Sequence, residues 1–136
     1  MPRTNLTLVL NDPPYESART GSAFRIADAA IRRGYDVNVF AYEGAVALAF
    51  ARQTPHANAV HGRDAAAEDH PTTHRWIREL FALARERSVK LDWVNCGLCV
   101  DERGVDEAVL GVRRGSPADL WSFVNASNNT LVIPTR

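Results

Sequence analysis

The chain has 136 residues, 46 % of them hydrophobic and 24 % charged, which is the size and composition of one globular domain with a single core rather than a disordered polymer. Its formal net charge of +0 leaves no basic field to attract nucleic acid or anionic lipid, and the longest apolar run, Ala45–Ala51, is too short to cross a bilayer. The start, MPRTNLTLVLNDPPYE, lacks the longer apolar region and small-residue cleavage site of a signal peptide, so a cytoplasmic location with reduced thiols is expected.

Leu6–Leu10 is a short apolar run that stops at Asn11-Asp12-Pro13-Pro14, as a buried strand feeding a turn does, because two prolines neither extend a ladder nor enter a helix interior. A helix is predicted from about Ser17 to Arg33, with Phe24, Ala27, Ala30 and Ile31 as its apolar stripe and Gly34 as a left-handed cap. Val37, Val39 and Ala41 alternate in a second strand over Asp36–Ala41, and strand, helix, strand at this spacing is a parallel crossover unit. Glu43–Arg52 reads as an Ala-rich helix. Gln53–His70 is polar and weakly patterned, with room for a short strand around Ala57–His61.

Pro71 suits the first turn of the next helix, where Trp76, Ile77, Leu80, Phe81 and Ala84 repeat at helical spacing up to Arg87. Val89–Asn95 is a third strand and delivers the chain to Cys96. A short helix is expected over Asp106–Arg114, closing at Gly115. Ser116 then caps a helix with Pro117 in its first position and Leu120, Phe123 and Val124 facing the core, and Thr130–Pro134 is the last strand. Alternating strands and helices imply an α/β fold, a three-layer α/β/α sandwich with a mostly parallel sheet of four to five strands, formed by residues 1–136 as a single domain. Ligands gather at the carboxyl ends of such strands, where Asn11–Tyr15 and Cys96–Cys99 both lie. The first crossover has no GxGxxG, so no dinucleotide is implied, and no cofactor is expected.

The stretch WVNCGLCVDERG holds both cysteines. Cys96 leaves a strand and enters a Gly-containing turn that opens a helical turn, where backbone N–H groups favour a thiolate. Two cysteines three apart in helical geometry share a face and can meet. Packing, a metal site, a dithiol couple and sulfur carriage are all compatible with that pattern. Zinc needs four ligands, and there is no second CxxC; His70 and His74 have an x3 spacing but Pro71 sets His70 before the helix, while His56 and His61 lie in the unpatterned segment. No metal is expected. CGLC also resembles the thioredoxin active-site tetrapeptide, and Ile133-Pro134-Thr135 its later proline turn, but the CxxC of that fold follows an early strand, so the likeness is local.

Nearly end to end, the sequence resembles the DsrE-like family, which includes the sulfur-relay subunits of the Tus and Dsr complexes. Three blocks carry the resemblance: LTLVLNDPPYESARTGSAFRIADAAIRRGYDVNVFAYEGAV, VKLDWVNCGLCVDERGV and GSPADLWSFVNASNNTLVI. The first and third report fold. In the second a strand ends in the sulfur-carrying cysteine and an Arg-Gly follows. The relay cysteine of that family precedes this Gly by eight positions, which is the spacing of Cys96 to Gly104, so the persulfide role is carried to Cys96. Cys99 is similar to the second cysteine of a stand-alone branch whose motif reads CGxCxxxRG. The resemblance implies a parallel α/β sandwich, sulfane sulfur accepted on Cys96 with Cys99 as a resolving thiol, and assembly into homotrimers or homohexamers. It also implies partners that are sulfur-donor and sulfur-acceptor proteins or small persulfides, with no nucleic acid and no membrane. Asn11, Tyr15 and Arg103 are candidates to line the same pocket. A thiol–disulfide redox protein, or a non-enzymatic oligomeric binding module with packing cysteines, is the competing expectation.

Overall fold

The computed structural model describes residues 4–55 and 72–133. Strand β1 spans Asn5–Leu10, helix α1 Arg19–Arg32 and β2 Asp36–Ala41, followed by a 3-10 helix over Glu43–Ala49. Then come α2 at Thr73–Glu86, β3 at Leu91–Cys96, α3 at Gly97–Arg103, β4 at Val112–Gly115, α4 at Pro117–Ala126 and β5 at Asn129–Ile133. The strands form one sheet in the order β4-β3-β2-β1-β5, and every pairing is parallel. Among the described residues no helix is long and apolar enough to cross a membrane.

Strand side chains alternate between the two faces, so the register divides the core in two. Leu8 pairs with Val39 and Val39 with Trp93, and these three buried side chains lie side by side under α1 and α2. The predicted stripe of α1 is what it buries, Phe24, Ala27, Ala30 and Ile31 among others, and Gly34 follows with φ 81°. Phe24 meets Trp76 of α2 edge-on with ring centroids 4.9 Å apart and lies 6.0 Å from Trp93. The opposite face presents Val9, Phe40 and Val94, again in register. There Phe40 and Val94 cluster with Val46, Cys96, Cys99, Val100 and Phe123. Cover on this side is thin. Phe123 is the one residue of α4 that is buried, and Val132 on the edge strand β5 is 59 % exposed.

Helix α4 begins as its sequence predicts. Ser116 accepts a hydrogen bond from Ala118 N–H, Asp119 reaches back to the Ser116 N–H at 2.9 Å, and Pro117 occupies the first turn. Its core contribution is smaller than expected: Phe123 is buried, but Val124 is 38 % exposed.

Two elements differ from the sequence reading. The expected helix over Asp106–Arg114 is absent, and Val112–Gly115 forms the edge strand β4, with Trp93 opposite Val112 and Cys96 opposite Gly115. The segment has no continuous apolar stripe to bury, since Val109 is buried while Leu110 is 96 % exposed, and Gly111 at φ 102° breaks any helical run. The strand instead satisfies backbone groups along the outer edge of β3. The second difference is that Glu43–Arg52 is a shorter 3-10 helix ending at Ala49. The Gln53 side-chain amide donates to the carbonyls of Ala47, Leu48 and Phe50 at 2.9–3.2 Å and so stops it. The strand considered at Ala57–His61 and the helix start at Pro71 lie outside the described residues.

Candidate functional site

Cys96 is the last residue of β3 and the N-cap of α3, with extended backbone at φ −60° and ψ 119°. Cys99 follows in the first turn of α3, and Gly104, in left-handed conformation at φ 62°, closes the helix. The chain leaves β2 toward the 3-10 helix and α2, whereas it leaves β3 into α3, which packs on the other face of the sheet. Neighbouring strands whose connections part in this way leave a crevice at their carboxyl ends. Both cysteines stand in it, free and largely buried at 9 % and 8 % exposure.

The thiols are close enough to interact with each other. Burial pushes the Cys99 thiol up from its ordinary value, and a hydrogen bond from the Glu43 backbone N–H to Cys99 Sγ, 3.1 Å, pulls it partly back. Glu43 holds that N–H in place from φ 50°, a left-handed conformation uncommon for a residue with a side chain. Its neighbour Gly44 leaves no room to shift, since a Cβ there would meet Pro13 at 2.9 Å. Arg103 ties the same corner from α3. Its guanidinium pairs with Glu43 Oε2 at 3.0 Å and donates to the Cys99 carbonyl at 3.3 Å. Arg103 therefore reaches the site through Glu43 and the backbone of Cys99.

A second arginine, Arg114 of β4, works from the other side. It grips Asp101 with two hydrogen bonds of 2.9 and 3.0 Å and donates to the Gly97 carbonyl at 3.2 Å. A Cβ on residue 97 would lie 3.0 Å from that guanidinium, so the glycine between the cysteines is what admits it. Arg114 thus holds a cation against the residue that follows Cys96, and its pairing holds the Asp101 carboxyl below the ordinary carboxylate range. Arg114→Gln is expected to slow alkylation of Cys96 by iodoacetamide at neutral pH roughly threefold, a modest effect because the cation is exposed. Arg114→Lys should recover most of the rate. An unchanged rate in Arg114→Gln, read on the Cys96 peptide by mass spectrometry, would leave the arginine with a purely structural part.

The crevice widens into a pocket of about 510 Å³ with Cys96 and Cys99 in its wall. Val9, Phe40 and Val132 line it from the sheet, Pro117, Leu120 and Val124 from α4, and Tyr42 and Glu43 from the end of β2. Asn11, expected to line it, stands one residue behind the wall and donates its side-chain amide to the Tyr42 hydroxyl at 3.0 Å. Its own Oδ1 is buried without a hydrogen-bond partner among the described residues. Tyr15 was expected to line this pocket and does not: it is 55 % exposed and belongs to a separate pocket of about 360 Å³ with Thr73 and Trp76. The turn after Pro13-Pro14 takes Tyr15 to φ 66° and directs it to the start of α2. His74 is buried in α2, away from the cysteines, and His56, His61, His70 and Pro134 lie outside the described residues. Among the described residues no three His, Cys, Asp or Glu side chains converge as metal ligands would.

Sequence reading missed Tyr42, Glu43, Arg114 and the α4 wall. Tyr42 and Glu43 follow the carboxyl end of a predicted strand, which is a usable signal. Arg114 carried none once its segment was read as helix.

The fold has clear relatives. The E. coli YchN protein superposes with a TM-score of 0.71 at 19 % identity, covering 95 % of this chain and 98 % of its own. A conserved protein of unknown function from Bacteroides thetaiotaomicron, BT1422, superposes with a TM-score of 0.57 at 13 % identity, covering 95 % of this chain and 94 % of its own. At these identities the likeness is one of fold. In sequence, the uncharacterized protein MJ0989 of Methanocaldococcus jannaschii is 28 % identical over 127 residues, 92 % of this chain and 96 % of that one. The DsrE/DsrF-like family profile matches residues 4–133, from the start of β1 to the end of β5, and the chain belongs to that family.

Proposed function

We propose that this protein is a cytoplasmic sulfur carrier that accepts sulfane sulfur on Cys96, with Cys99 as the resolving thiol. Membership of the DsrE/DsrF-like family points to a sulfur-relay type of protein. The observation that carries the finer reading is the position of Cys96: at the end of a central strand, in the wall of a pocket, with a second thiol one turn away.

In the first step the Cys96 thiolate attacks the outer sulfur of a donor persulfide, R–S–SH. A new S–S bond forms on Cys96, the donor S–S bond breaks, and its electron pair leaves on R–S⁻, so no net oxidation occurs. The Cys96 persulfide then passes its outer sulfur to an acceptor thiolate in the same way. Where Cys99 attacks the inner sulfur instead, hydrosulfide leaves and a Cys96–Cys99 disulfide remains, which an external dithiol reduces by exchange while itself becoming a disulfide. The interaction between the two thiols favours that second, redox reading as a side branch.

The test is intact-mass spectrometry of the reduced protein after exposure to a persulfide donor. One added sulfur atom, lost again to an acceptor thiol, is the expected result. A protein that takes up no sulfur from any donor would leave the cysteines with packing or disulfide exchange. Assembly as a homotrimer or homohexamer belongs to the same proposal, and the 69 % exposed Trp121 and 96 % exposed Leu110 are suited to subunit contacts. A monomer at micromolar concentration by light scattering would contradict it.

A further inference from the structure

Resting on the sulfur-carrier reading, the geometry points to the class of donor: we infer that the pocket beside Cys96 takes a small persulfide or thiol with an uncharged, apolar substituent. Two features of the wall set this. Its surface is mostly hydrocarbon, from Val9, Phe40, Leu120, Val124 and Val132. Its one carboxylate, Glu43, is already paired with Arg103 at 3.0 Å, and no lysine, arginine or histidine lines the pocket among the described residues.

A peptide thiol such as glutathione brings two carboxylates and an ammonium. Entering here, the carboxylates would find no cation in the pocket wall among the described residues, would face Glu43, and would lose water for little in return. An alkyl chain gains with every methylene that leaves water. The volume of about 510 Å³ suits a substituent well beyond a methyl group. The two thiols in the wall supply the reacting end, so the occupant is a sulfur compound with an apolar tail, and the transferred atom is the outer sulfur already balanced above.

The experiment compares initial rates of sulfur loading on Cys96 from a series of n-alkyl persulfides and from glutathione persulfide, with iodoacetamide alkylation as a control for thiol availability. Loading should rise roughly threefold per methylene over the first several carbons. The longer alkyl donors should exceed glutathione persulfide at least tenfold. Val132→Lys, which puts a cation at the exposed rim of β5, should bring that ratio down toward one. Equal or faster loading from glutathione persulfide, or a ratio that Val132→Lys leaves unchanged, overturns the inference.

A second measurement separates donor class from sulfur transfer. An n-alkyl methyl thioether, which cannot transfer sulfur, should protect both cysteines from iodoacetamide, whereas S-methylglutathione should not. Protection without loading from any donor retains the apolar ligand and removes the carrier function. Loading without alkyl preference or protection does the reverse. If alkylation slows with protein concentration and no thioether competes, a second copy of the chain fills the pocket and the inference fails.

Discussion

Cys96→Ser should abolish sulfur loading altogether, while Cys99→Ser should load fully and hold the persulfide longer. The asymmetry follows from position. Both thiols are buried, but Cys96 ends β3 and opens α3, whereas Cys99 lies under the Glu43 loop with its thiol pushed up by burial. A raised thiol is mostly protonated near neutral pH, and the thiolate is the nucleophile. The sign is therefore definite: Cys99 attacks slowly at pH 7 and faster as pH rises toward its elevated value. Release of hydrosulfide from the loaded wild type should accelerate with pH, and Cys99→Ser should remove that acceleration. The opposite pattern, loading lost with Cys99→Ser and kept with Cys96→Ser, would reverse the two roles.

The second large effect is on stability. Trp93→Ala should cost about 3–5 kcal/mol, a large part of what holds an ordinary domain together. Trp93 is fully buried on β3, packs 6.0 Å from Phe24, and donates its indole N–H to Asn95 Oδ1 at 3.3 Å. Truncation leaves a cavity and removes a hydrogen bond from a buried amide. Trp93→Phe keeps most of the packing and should cost roughly 1–2 kcal/mol. Urea unfolding measures both, and a loss below about 1 kcal/mol for Trp93→Ala would contradict the packing described.

Four of the five strands were legible in the sequence because each combines a short apolar run with a clear stop: Asn11-Asp12-Pro13-Pro14 after β1, Gly34 before β2, Cys96-Gly97 after β3. The strand β4 was not. Val112-Arg113-Arg114-Gly115 has a single apolar residue, and its partnership with β3 is a tertiary fact. That omission hid Arg114, whose contact with Gly97 depends on β4 lying beside β3.

The site divides in the same way. The paired cysteines and their place at a strand end could be read from spacing, as could Arg103 nearby. Their environment could not. The Glu43 N–H to Cys99 bond joins residues 56 positions apart and requires a left-handed backbone at a glutamate, which no local signal announces. Tyr15 shows the converse. A strand-end position suggested the cysteine pocket, but the double-proline turn carries it to the other side of the α1 start.

The central claim is that sulfane sulfur resides on Cys96. The direct measurement is peptide-level mass spectrometry of the wild-type protein after brief exposure to a persulfide donor and trapping with iodoacetamide. The extra sulfur should be found on the fragment ions that assign it to Cys96, with Cys99 carrying only the alkyl group or the internal disulfide. Sulfur located on Cys99, or on neither cysteine, would contradict the account.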